Sequence, residues 1–297
     1  MRASYAVCLV VVAALAAGIA AATGPVAMVA ELSGSAHLTS GDDSRDLKLF
    51  ARLSVGDAIV LDAEAEAVVA FVSGARFRIE GPAEVRVAED DLKAVKGSVS
   101  ALQPVGTVPA IAAIPSGEKP GRRSGAIRIR SASLWGSEVE SLYPRDGASA
   151  VAGQTTLSFQ PLVNAETYRV DVEDELGETV FALETRTTEV TVPKGVLLPG
   201  AEYYWRVRSA GRRSLGGRGE ALFKTLPEDQ AGAREGIRLQ AEQDGEVASL
   251  LLLAEVDRSL GLYREACQSL TRAGELAPEN AHIAAARESF PCEEYAP

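Results

Sequence analysis

The chain has 297 residues, enough for two or three domains, and with 46% apolar and 24% charged residues it has the composition of a folded protein. It carries 30 Lys and Arg against 41 Asp and Glu, a formal net charge of −11. That balance excludes nucleic acid and anionic lipid surfaces as principal partners, because both require a basic footprint.

At the N-terminus, Met1-Arg2 precede an apolar run at 6–17 and the small residues Ala20-Ala21-Ala22. One positive charge, a short apolar core and an A-x-A site predict a secretory signal peptide over 1–22, cleaved after Ala22. The alternative is an uncleaved anchor, since no charge intervenes between Arg2 and Glu31. Against it, Gly18, Gly24 and Pro25 interrupt the run short of the roughly 20 apolar residues a span needs. Cys8 sits inside the apolar core rather than at its end, which argues against lipid attachment. A periplasmic or extracellular location follows, with membrane contact only through the signal segment before cleavage. An oxidising compartment offers Cys267 and Cys292 a disulfide, with two unpaired thiols as the alternative.

Over 24–103, strand candidates recur at 26–32, 35–39, 46–51, 58–61, 67–72, 76–80, 84–88, 92–95 and 98–102. Gly56-Asp57 and Gly81-Pro82 are the clearest turn signals between them. Short strands at this spacing predict an antiparallel sandwich or roll. Phe77, Ile79, Val85 and Val87 alternate with Arg76, Arg78, Glu80, Glu84 and Arg86, so one apolar and one charged face are expected.

The segments VAMVAELSGSAHL, LSVGDAI, VVAFVSGARFRIEGPAEVRV and LKAVKGSVSAL resemble the extracytoplasmic domain of the FecR (iron-dicitrate regulator) family, over about the first third of the chain. The resemblance implies the β fold and a place in envelope signalling. Regulators of that family carry a cytoplasmic stretch that contacts a sigma factor, and outside they receive a signal from an outer-membrane transporter. Almost nothing precedes the apolar segment here, so direct transcriptional control is not expected.

Residues 104–126 hold Pro104, Pro109, Pro115 and Pro120 with interspersed glycines, which predicts an extended linker. Over 127–226 the strand pattern returns at 139–143, 155–160, 168–173, 179–184, 189–192, 203–209 and 221–225. Seven strands in about 100 residues is the size of an immunoglobulin-like sandwich. The stretch LPGAEYYWRV at 198–207 resembles the start of the sixth strand of a fibronectin type III module, with Tyr203 at the corner position. Tyr203, Trp205 and Val207 are expected to face inward, and Tyr204, Arg206 and Arg208 outward. LSFQP and Tyr168-Arg169-Val170 resemble that module's second and third strands, with Phe159 where the family keeps Trp. The Gly- and Arg-rich stretch 211–219 is expected to be a hairpin loop.

After Pro227 the period changes from two to 3.6. Residues 247–280 resemble one tetratricopeptide repeat, with Ala254 and Ala266 small where two helices approach. A single repeat cannot bury its own faces, so the helical stretches 228–243 and 281–289 are expected to cap it. In such repeats Leu251, Glu255 and Arg258 fall on the concave face that receives peptides; the alternative is that the flanking helices or the second domain cover this face.

Chemistry-bearing patterns are sparse. His37 and His282 lie far apart in the chain without metal-ligand spacing, and the acidic pairs Asp42-Asp43, Asp90-Asp91 and Glu293-Glu294 fall in turns or the tail. No nucleotide fingerprint or nucleophile elbow occurs, and no cofactor is expected. The sequence therefore predicts a multidomain, mainly β protein with a C-terminal helical segment, acting outside the cytoplasm as a non-enzymatic adaptor. The expected partner is an envelope protein or peptide. The rival expectations are a cell-wall glycan module using Tyr204, and a component of FecR-type signalling.

Overall fold

Alternating side chains punctuated by glycine turns fold the first unit into eight antiparallel strands. They are β1 (Ala27–Ser33), β2 (Ala36–Ser40), β3 (Asp43–Asp46), β4 (Arg52–Leu53), β5 (Ala58–Leu61), β6 (Glu66–Phe71), β7 (Arg76–Val87) and β8 (Leu92–Leu102). The computed structural model describes residues 24–113, 141–162, 165–210, 218–290, 292 and 295. The signal segment 1–22, residues 114–126 of the expected linker, the start of the second unit at 127–140 and most of the 211–219 loop lie outside the described residues. The sheet runs β3-β2-β5-β7-β6-β1-β4, with β8 along the remaining edge of β7.

Three local expectations are corrected. Residues 47–51 do not form a strand: Leu47 is held to Ala36, and Phe50 at φ 65° turns the chain back onto Val29. The pairs 76–80/84–88 and 92–95/98–102 are single strands, because Gly81 and Gly97 carry bulges rather than turns. A Cβ on Gly81 would overlap the backbone carbonyl of Asp62, so only glycine lets β7 continue there. Residues 104–113 are not a solvated linker either. Val105, Val108 and Ile111 are buried, and Pro109–Ala113 forms the short helix α1. Val105 N–H donates to the Gly74 carbonyl at 2.9 Å and Val108 N–H to that of Val72 at 2.8 Å.

The second unit comprises β9 (Leu142–Tyr143), β10 (Ala148–Ala150), β11 (Thr156–Phe159), β12 (Tyr168–Asp174), β13 (Thr179–Thr185), β14 (Glu189–Thr191), β15 (Glu202–Ser209) and β16 (Arg218–Thr225). Two sheets, β10-β16-β15-β12-β13 and β14-β11-β9, enclose a core built on Trp205, Phe223, Tyr203 and Leu157. Among the described residues only β10 pairs in parallel, with β16.

The tail folds as α2 (Glu228–Asp244), α3 (Val247–Ser259), α4 (Tyr263–Leu276) and α5 (Ala281–Ser289). Gly245 in the left-handed region ends α2, and the Asn280 side chain caps α5 by accepting from the N–H groups of His282 and Ile283. The protein is thus multidomain and mainly β, with a C-terminal helical segment.

Strands β1 and β6 carry unbroken apolar runs, and both faces of each are buried. Ala27 and Val29, with Ala67, Val69 and Phe71, enter the core of the first unit. Met28 and Ala30, with Val68 and Ala70, point the other way and share a second core with Val108, Ile111, Ile237, Leu250, Leu251, Leu253 and Leu270. Complete burial of each such leucine contributes about 1.5–3 kcal/mol. The core of the tail is therefore continuous with the outer face of the first unit.

A polar lock closes this seam. Arg76, expected to face solvent, is 2% exposed. Its Nη1 donates to Ser249 Oγ at 2.6 Å and its Nε to the Gln103 carbonyl at 2.9 Å, while Nη2 lies 3.5 Å from Asp244 Oδ2. Ser249 Oγ donates in turn to Asp244 at 2.7 Å. Arg76→Leu strands the Asp244 carboxylate and should lower the stability in urea unfolding by about 3–5 kcal/mol; a loss under about 0.5 kcal/mol would show that the lock contributes nothing.

Glu31 lies at the same seam. Burial, then the neighbouring charge of Glu66 and that of Glu246, push its carboxyl above the ordinary value, with Arg78 and the Ala248 N–H pulling the other way. The folded state thus favours the protonated form, so the ionised carboxylate costs stability as pH rises from its unfolded value through its raised folded value. Glu31→Gln should raise the thermal midpoint at pH 7.5 and leave it unchanged at pH 4; an equal shift at both pH values would contradict the assignment.

Candidate functional site

The concave face of the expected repeat is occupied. Leu251 is fully buried and Glu255 is 3% exposed, because the first unit and α1 cover α3 there. Glu255 accepts two bonds from Arg258, each 2.7 Å, and lies 3.3 Å from Arg52 of β4. Arg52 also donates to the Ile111 carbonyl. Burial pulls the Arg52 pKa down, and Glu255 acts against it. Of the three expected peptide-binding residues only Arg258 remains exposed. The expectation of an open groove is therefore corrected: an apolar helix side was covered by the nearest apolar sheet face.

The remaining expected residues are structural. Gly56 N–H donates to the Val87 carbonyl at 2.9 Å. The Asp57 carboxylate accepts from Ser40 Oγ at 2.6 Å and Ser54 N–H at 2.8 Å, tying this turn to β2 and to the end of β7. Tyr203 is buried, and its hydroxyl accepts from Leu198 N–H at 2.7 Å. Trp205 is fully buried and donates from Nε1 to the Pro144 carbonyl at 2.7 Å. Tyr204 is half-buried with its hydroxyl bonded to Glu220. His37 is exposed beside Asp46 at 3.3 Å, and His282 Nε2 lies 2.8 Å from the Gly34 carbonyl. Among the described residues no group of His, Cys, Asp and Glu is arranged to hold a metal. No helix there is long and apolar enough to cross a membrane.

A second seam joins the tail to the second unit, and it is polar. Ser149 N–H donates to the Gly261 carbonyl at 2.9 Å. The Arg264 guanidinium lies over the Tyr143 ring, 3.8 Å from its centroid, and donates to Ser158. The Tyr143 hydroxyl donates to Glu265. Burial, reinforced by the Glu265 charge, raises the Tyr143 pKa strongly. Between these contacts opens a cavity of about 490 Å³. Tyr143, Pro144, Gln154 and Thr155–Thr156 wall it on the sandwich side, and Arg234, Arg238, Arg264, Glu265 and Gln268 on the helical side. None of these wall residues was expected as a site, because they converge from segments about a hundred positions apart.

In the first half of α4, Cys267 is joined to Cys292, their Cα atoms 5.5 Å apart. The bond holds the terminal segment so that Phe290 and Tyr295 pack on Tyr263, with Arg145 of the second unit 5.1 Å over the Tyr295 ring.

No family model and no curated protein matches the chain. Among solved structures it is similar to the crystal structure of CopC from Methylosinus trichosporium OB3b, at 18% identity and a TM-score of 0.25, over 30% of this chain and 93% of that one. A likeness of that size carries no argument about the fold or the function of this chain.

The disulfide closes a loop with a sequence separation of 25. The loop-entropy relation gives about 3 kcal/mol for such a closure. Cys267→Ser with Cys292→Ser should lower the unfolding free energy by about that amount, and reducing agent should reproduce the loss. A double variant as stable as the parent under non-reducing conditions would contradict it.

Proposed function

We propose that this protein is an exported, non-enzymatic adaptor of the cell envelope, of FecR-domain type, which binds an envelope protein through a sheet edge rather than through its helical tail. The reading rests on β8. This strand of 11 residues pairs with β7 along one edge, and among the described residues no strand pairs with the other. Residues Lys93–Ser98 are exposed, so neither face nor edge is committed within the described chain. An open edge offers a row of backbone donors and acceptors to an extended segment.

The chemistry of the edge selects the occupant. Lys93 stands directly opposite Arg86 on β7, and β8 carries no acidic residue in a chain of net charge −11. Like charges directly opposite are unfavourable in a ladder, and an added strand bearing carboxylates relieves them. The occupant is therefore an extended acidic segment of a partner protein. Tyr204, the support for a glycan reading, is tied to Glu220, which leaves that reading weaker.

A photo-crosslinking residue placed at Val95 or Ser98 of the full chain in native envelopes should give one adduct, which disappears with Lys93→Glu and Lys96→Glu together. Leu176, 74% exposed on the second unit, serves as the control position. Adducts no stronger at 95 and 98 than at 176, or adducts indifferent to the charge reversal, would overturn the reading.

A further inference from the structure

The cavity between the sandwich and the tail holds a charge that the chain does not answer. Three guanidinium groups line it. Arg234 is paired with Asp257, Nε to Oδ1 at 2.7 Å and Nη2 to Oδ2 at 3.0 Å. Arg238 is paired with Glu235 at 2.7 Å and also with Glu242. Among the described residues Arg264 has no carboxylate in ion-pair contact. It lies on the Tyr143 ring and donates to Ser158, while its Nε is sealed from water without an acceptor. Glu265 is taken up by the Tyr143 hydroxyl, and with Glu189 it reaches Arg264 only from a distance. Burial draws the Arg264 pKa below its ordinary value, the expected signature of a desolvated cation short of a counter-charge.

The other walls describe what such a counter-charge would belong to. Gln154 and Gln268 present exposed amides, and Thr156 a hydroxyl 3.4 Å from that of Thr191. Glu189 and Glu265 also line the cavity and disfavour any multiply charged anion such as a phosphate. The volume lies within the range of small-molecule sites.

We propose that this cavity binds a small organic monocarboxylate carrying amide or hydroxyl groups, its carboxylate on the Arg264 guanidinium and its neutral polar groups on Gln154, Gln268 and Thr156. A guanidinium and a carboxylate form charge-assisted, directional bonds that neither an amide nor a neutral sugar reproduces. The walls come from both the second unit and the tail, so the ligand bridges the two. The proposal is independent of the β8 reading. Two sources supply this chemistry, the free end of a peptide and a sugar acid.

The test titrates the full mature chain by calorimetry with N-acetyl-alanyl-alanine, with the C-terminal amide of the same peptide, and with glucuronate. At least one of the two acids should bind saturably. Tighter binding of the peptide acid or of glucuronate names the source, and the peptide acid, if bound, should exceed its amide by about tenfold or more. Arg264→Gln should remove that binding. Gln268→Glu adds a negative charge at the exposed rim and should weaken the acids by a larger factor than the amide, so the prediction survives a failure of Arg264→Gln to fold. Peptide acid and amide binding equally, neither acid saturating below about 20 mM, or a folded Arg264→Gln binding like the parent would each overturn the proposal.

Discussion

A helix with no polar side has to be enclosed, and α3 is such a helix: every residue from Ala248 to Asp257 is buried. Helices α2 and α4 cover part of its circumference. The rest is covered by β1 and β6, which can serve because their second faces, Met28, Ala30, Val68 and Ala70, are apolar too. The consequence is topological. The C-terminal segment returns to the N-terminal sheet, and the second sandwich sits as an insertion between two parts of one hydrophobic body. Closing so long a loop costs little more than closing a short one, because the entropy grows only logarithmically with length. Several fully buried leucines outweigh that increment.

The charges inside this seam act differently from its apolar residues. A buried ion pair adds little net stability, but separating its members leaves a desolvated charge that is costly to strand. Arg76 with Asp244 and Arg52 with Glu255 therefore penalise dockings of the helices that would separate them, and Arg234 with Asp257 does the same for the packing of α2 on α3. The seam to the second unit lacks a shared apolar core and rests on Tyr143, Arg264, Ser149 and Gly261. Interfaces built from a few polar contacts pack less completely than apolar ones, which is why the cavity lies there and not along α3.

The strands and helices were legible in the chain because turn chemistry and periodicity are local. Gly56-Asp57 and the 203–209 alternation needed no partner to be read. What escaped depended on distant neighbours. Arg76 fits a solvent-facing alternation, and only the approach of Asp244 and Ser249 explains its burial. The walls of the cavity come from positions 143–156 and 234–268, whose proximity no local pattern encodes. One signal for the docking was present nonetheless. Ala27-Met28-Val29-Ala30, Ala67–Phe71 and Leu250–Leu253 are unbroken apolar runs where half-exposed elements alternate. These three runs lie in doubly covered elements, and packing them on one another covers all three at once.

The docking buries Leu251 and Glu255 of α3, so the proposed partner contact is assigned to what the docking leaves outside. The strand that carries the lock is the ladder neighbour of the strand with the open edge: Arg76 of β7 pairs with Leu102, the last residue of β8. At its other end β7 is tied through Val87 to the Gly56-Asp57 turn. The edge strand is therefore laid along a neighbour anchored at both ends. A strand held in register in this way has already given up the conformational freedom that an added segment would otherwise have to remove, and preorganisation of that kind favours binding without any further contact. In the proposed adaptor reading the helical tail would serve recognition indirectly, by fixing β7, while β8 would supply the surface.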